Sequence, residues 1–151
     1  ASDVYKRQAM KWIPGRYITG PENFDSYKVF VPKSNATGAL GETLSSPVIA
    51  DPFQGHTQTF ISIGNFNTKN ESKACLNYIK TKFARIMLGI LKVTQDNPRE
   101  KWEFVPLQDF TSNSDIDWSQ SIPEIDQQLY AKYGLNDEEI DFIEEKVQSM
   151  E

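Results

Sequence analysis

The side chains able to do chemistry fall into one cationic set and a few isolated nucleophiles and acids. Lys28, Lys33, Ser34 and Asn35 gather at the end of an apolar run and in the polar loop after it. Lys82, Arg85 and Lys92 recur along a helical stretch, with Lys80, Thr94 and Gln95 beside them. Ammonium and guanidinium groups neutralise phosphates, and amides and guanidinium forks read base edges. The set therefore has the chemistry of a nucleic-acid contact surface, although scattered lysines are also what an ordinary solvated helix face carries. His56 is the only histidine and Cys75 the only cysteine, too few for the three or four nitrogen and sulfur ligands of a zinc site. No serine sits in a nucleophile turn, so His56 reads as an exposed loop residue and Cys75 as a small core residue. Glu144-Glu145-Lys146 has the E-x-K spacing of some nucleases, but no Pro-Asp dipeptide precedes it and it reads as a solvated helix face. Gly38 and Gly41 lack the spacing of a phosphate-cradling loop.

The elements that must position these groups are organised around Thr68–Gln95, read as one long helix. Thr68 and Glu71 form a T-x-x-E start, and Cys75, Ile79, Phe83, Ile86 and Ile90 recur at steps of three and four. Leu76, Met87 and Leu91 widen that stripe to the apolar face of a helix laid on a sheet. Asn97-Pro98 stops it. Upstream, Tyr27–Val31, Pro47–Ala50 and Gln58–Ile63 read as strands, and Lys101–Val105 as an edge strand. Downstream, Pro123–Tyr133 reads as a helix closed by Gly134, and Asn136 caps a last helix with Ile140, Ile143, Val147 and Met150 on its buried stripe.

A chain of 151 residues fits one domain and can bury a core without disulfides. A single cysteine suits a reducing compartment, and no apolar run approaches the roughly 20 residues of a membrane span. A soluble, cytoplasmic protein is expected. The net charge of −5 is uneven: residues 1–108 hold 14 Lys+Arg against 9 Asp+Glu, and residues 109–151 hold 2 against 12. A mildly basic body carries an acidic tail, and only the body suits a polyanion.

Five strings taken together, YKVFVPKSN, TFISIGNF, YIKTKFARIMLGILKVTQ, KWEFVPLQDF and DIDWSQSIPEIDQQLYAKYGL with its following DEEIDFIE, resemble the C-terminal region of bacterial restriction–modification proteins. These are adenine-specific DNA methyltransferases and fused type IIG-like restriction enzymes, in which a target-recognition domain follows the methyltransferase domain. The resemblance covers nearly all of residues 27–147. It implies a non-catalytic, DNA-recognising part of an enzyme that flips its target base out of the duplex. The family's Asn/Asp-Pro-Pro-aromatic tetrapeptide is missing: Asn97-Pro98-Arg99-Glu100 lacks the second proline and the aromatic. No catalytic, cofactor-binding or metal residue is therefore assigned. S-adenosylmethionine, and magnesium if the parent also cuts, is expected to belong to the upstream part. Residues 1–8, ASDVYKRQ, resemble translated sequencing-adaptor sequence and are expected to be non-native, as at the edge of a metagenomic reading frame.

The resulting expectation is an α/β domain of the α+β type: a small, mainly antiparallel sheet packed on one long helix and closed by a C-terminal helical hairpin. Residues 9–110 form the recognition body and residues 111–151 the acidic hairpin packed on it. The partners expected are double-stranded DNA and the upstream methyltransferase domain, with DNA contacts at Lys28, Lys33, Ser34, Asn35, Lys82, Arg85 and Lys92. Two alternatives stand beside this: a non-catalytic docking module that uses the acidic hairpin, and a small magnesium-dependent nuclease built on Glu144 and Lys146.

Overall fold

The computed structural model describes residues 11–14, 16, 20–33, 40–41, 43–90, 102–103 and 105–151. Three antiparallel strands form the sheet: β1 (Tyr27–Pro32), β2 (Val48–Ala50) and β3 (Phe60–Phe66), in the order β2-β1-β3. The period of two sorts β1 cleanly. Val29 and Val31 lie opposite Ile63 and Ile61 on one face and join the main core, while Phe30 lies opposite Ser62 on the other. The sequence reading ended the third strand at Ile63; it runs on to Phe66 through a bulge. Between the pairs Tyr27–Phe66 and Val29–Ile63, β3 holds one residue more than β1. Gly64 takes φ +92 there, the left-handed conformation that such a bulge requires.

The expected single helix is two helices, α1 (Lys69–Lys80) and α2 (Lys82–Gly89), broken at Thr81, whose φ −61 and ψ 151 are extended. The physical reason is a second N-cap. Thr81 Oγ1 accepts from Ala84 N at 3.1 Å, and the buried Asp126 carboxylate accepts from Lys82 N at 3.0 Å and Phe83 N at 2.9 Å. The amides freed by the break are thus all satisfied, so the kink costs no orphaned donor. At the first start, Thr68 Oγ1 accepts from Glu71 N, but Glu71 reaches back to Asn67 N. The apolar stripe persists through the break: Cys75, Ile79, Phe83 and Ile86 are buried, while Ile90 is exposed. Leu91 and the Asn97-Pro98 stop lie outside the described residues.

The hairpin forms as α3 (Ile122–Lys132) and α4 (Asp137–Lys146). Gly134, at φ +64, ends α3: its N–H reaches Ala131 O and that of Leu135 reaches Tyr130 O. This pair of bonds is the left-handed cap read from the sequence. Asn136 and Glu139 exchange 2.9 Å bonds at the start of α4. Ile143 and Val147 are buried, while Ile140 and Met150 are half-buried against the core. The edge strand expected at Lys101–Val105 is not formed where the chain is described. Trp102–Glu103 are a short 3₁₀ turn, closed by Val105 N to Trp102 O at 3.1 Å.

α1 packs on the sheet, and α2 on α3 and α4. The segment between α2 and α3 supplies core contacts of its own. Tyr78 donates to Pro106 O at 2.7 Å, and Phe110 packs between Phe66, Tyr78 and Trp118. Among the described residues, no helix is long and apolar enough to cross a membrane.

Candidate nucleic-acid interface

The structure separates the cations that the sequence groups together. Arg85 lies on α2 but points inward and is 2 % exposed. Its Nε donates to Lys80 O and Thr81 O, Nη1 to Gly41 O at 3.0 Å, and Nη2 to Gln148 O. The guanidinium fork thereby ties the helix break, the loop at Gly41 and the chain after α4 to one point. Desolvation pulls its pKa down to about 10, with Asp126 and Tyr130 opposing that shift, so it stays charged at neutral pH. The expectation that Arg85 faces DNA is corrected: its donors are spent on carbonyls inside the fold.

Lys28 needs the same correction. It sits on β1 opposite the bulge and is 2 % exposed. Its ammonium donates to Phe24 O at 3.0 Å, Ser26 O at 2.9 Å and Asp51 O at 3.3 Å, which accounts for all three of its hydrogens. Desolvation lowers its pKa while Asp25 and Asp51 oppose the shift. Lys28 therefore holds the turn before β1 against the end of β2.

Lys82 is mostly covered. Its ammonium pairs with Glu144 of α4 at 2.6 Å, and Glu144 also accepts from Tyr130 Oη at 2.8 Å. Burial pushes the Glu144 carboxyl up, but these bonds from Lys82 and Tyr130 outweigh it and hold it below the usual range. Glu144, the acid of the E-x-K pattern, is thus a structural partner of α2, and Lys146 lies near Glu145 at 3.6 Å. Lys33 is half-buried just beyond β1, its N–H on Thr59 O at 2.9 Å. Ser34, Asn35 and Lys92 lie outside the described residues. Of the seven predicted contacts, Lys82 and Arg85 lie on α2 toward the hairpin and the chain after it, while Lys28 is buried on β1 and Lys33 lies just past its end.

Cys75 is buried, and burial pushes its thiol up to about 12, which removes thiolate chemistry at neutral pH. Among the described residues no three His, Cys, Asp or Glu side chains group as metal ligands.

The sequence reading missed a cleft on the face of the sheet away from the helices, with a volume of about 670 Å³. Its floor is Phe30, Lys28 and Ser62, and its rim carries Trp12, Phe24 and Phe53. Phe24 and Phe53 meet edge to face at 5.9 Å, and the His56 ring meets Phe30 the same way at 4.8 Å. Asn23 fixes one wall by donating to Ser62 Oγ and Gly64 O, each at 2.8 Å. His56 is exposed, as expected, with Nδ1 2.7 Å from Thr57 O. The cleft draws on five separated stretches of chain, so no motif could announce it. The available sequence signal was aromatic residues set among turn formers, as in Pro52-Phe53-Gln54-Gly55-His56.

No family model, curated protein or solved structure matches this chain.

Proposed function

We propose that this chain is the DNA sequence-recognition part of a bacterial restriction–modification enzyme, an adenine-specific methyltransferase or a fused methyltransferase–endonuclease. The observation that carries the reading is the joint occurrence, in order, of the five strings from YKVFVPKSN to the tyrosine–glycine–leucine hairpin. In that reading the catalytic centre, its S-adenosylmethionine and any magnesium belong to an upstream domain. The location is cytoplasmic, and this chain contributes no catalytic group. Its task is to grip duplex DNA through phosphates and to select a sequence through loop side chains.

With Arg85 and Lys28 committed to carbonyls, the grip shifts to the end of β1. Lys33 and the polar loop after it, Ser34 and Asn35 included, become the leading contacts. Salt-dependent duplex binding by the 151-residue chain tests this. Lys33→Ala should lower the slope of log affinity against log salt by about one. Lys82→Ala should leave that slope alone, because Glu144 already neutralises the ammonium. Binding without salt dependence, or none, would sink the DNA reading.

One observation favours the docking alternative. The outward side of α4 exposes Glu138, Glu139, Asp141 and Glu145 around Phe142, which is 47 % exposed. An apolar ring inside an acidic patch suits a basic protein partner and repels DNA. Salt-sensitive duplex binding separates the two readings, since only the first requires it.

A further inference from the structure

The cleft on the open face of the sheet is built for more than packing. Phe53 takes φ +65, a conformation that a bulky side chain rarely adopts, and its N–H is pinned to Phe24 O at 2.8 Å. The ring so placed is 71 % exposed, and Trp12 beside the cleft is 96 % exposed. Burial does not offset the strain at Phe53, so folding gains little from this arrangement. A ligand that stacks on the rings would gain from it.

The chemistry of the lining narrows the ligand. Lys11 and His56 lie at the cleft with Lys28 beneath, and among the described residues no carboxylate side chain lines it. Amide and hydroxyl groups of Asn23, Gln54, Thr57 and Ser62 stand between the rings. Aromatic faces, polar edge groups and the exposed Lys11 ammonium match a planar heterocycle carrying a phosphate. An extended apolar peptide would need neither the Lys11 ammonium nor the exposed ring faces.

We propose that this cleft holds an unpaired nucleotide, its base stacked on Phe53 and Trp12 and its phosphate toward Lys11. The proposal rests on the DNA-binding reading above and adds a second mode of contact to it, separate from phosphate grip on duplex. Three probes test it with the 151-residue chain: a short perfect duplex, the same duplex with one unpaired nucleotide, and a single-stranded oligothymidylate. Fluorescence anisotropy should show the unpaired nucleotide tightening binding roughly tenfold over the perfect duplex. Phe53→Gly removes the ring and suits the backbone angle, so its thermal unfolding should not fall. It should abolish that gain and leave perfect-duplex affinity as it was.

Equal binding of the bulged and perfect duplexes overturns the cleft proposal while leaving the duplex reading intact. A preference that survives Phe53→Gly also overturns it, by placing the unpaired base elsewhere. Failure to bind any of the three probes overturns both. Sedimentation that shows a dimer lost in Phe53→Gly assigns the cleft to a second copy of the chain and overturns the nucleotide.

Discussion

Asp126 is the residue on which pH should act most directly. It caps the amides of Lys82 and Phe83 from inside the protein and is 2 % exposed. Burial pushes its carboxyl up to about 6 from the ordinary 3.8; the two amide bonds and Arg85 oppose this, and Glu144 adds to it. Lys82 and Arg85 face it from α2, Tyr130 from its own helix and Glu144 from α4. Because the folded value is raised, the folded chain holds this proton to higher pH than the unfolded chain does. The stability it contributes is full below about pH 4 and is lost as pH rises through about 6, a span on the order of 3 kcal/mol. Glu144, held low, acts in the opposite sense but is partly exposed, which weakens its share. Asp126→Asn cannot ionise. Urea unfolding should therefore show the advantage of the wild type over this variant shrinking between about pH 4 and pH 7. A constant difference would place the pH dependence in another group. Neither the raised value nor the capping role was legible in the sequence, where Asp126 is one acid among twelve in an acidic tail. Arg85 was misread for a related reason: its i and i+3 neighbours do not disclose that Gly41 and Gln148 present carbonyls to it.

At the scale of elements, the ends were easier to read than the middles. Thr68, Gly134 and Asn136 mark boundaries by chemistry local to a few residues, and each does in the structure what its residue type suggests. The break at Thr81 was hidden because half of its cap comes from Asp126, more than forty residues away. The bulge in β3 was hidden because a glycine after alternating apolar residues also reads as a strand end. Two of the three left-handed glycines among the described residues, Gly64 and Gly134, give a graded test. At Gly64, φ is +92 and an added Cβ would run into the Phe66 ring, so both strain and collision oppose alanine. At Gly134, φ is +64 with nothing within 4 Å, so strain acts alone. Gly134→Ala should cost about 1 kcal/mol and Gly64→Ala about 2 kcal/mol or more in denaturant unfolding. Equal costs would mean that the Phe66 ring moves aside freely.

At the scale of the molecule, the acidic hairpin is part of the core and not an appendage. Ile125, Leu129, Tyr130, Ile143 and Val147 share one buried cluster with Val29 and Val31 of the sheet. Phe83 of α2 stacks on Tyr133 at 4.9 Å, and Trp118 joins Tyr78 and Phe110. A chain that stops at Gln120 loses those apolar side chains, the Asp126 cap and the partner of Lys82 together. It should show no cooperative unfolding transition by circular dichroism, since burial of this many side chains exceeds the usual margin of stability. A cooperative transition in that truncation would make the body an independent unit.

The sequence by itself determined the class of fold, the three antiparallel strands, the helical hairpin and the apolar stripe that crosses from α1 to α2. These follow from period, capping residues and turn formers, all of which act over a few neighbouring positions. Tertiary structure decided what the charged groups do. Whether Lys28 or Arg85 meets solvent depends on which distant carbonyls the fold brings to it, and whether Lys82 is available depends on Glu144 arriving from another helix. The aromatic cleft is decided at that level too, because the strain at Phe53 and the open face above Phe30 arise only when five separated stretches of chain converge.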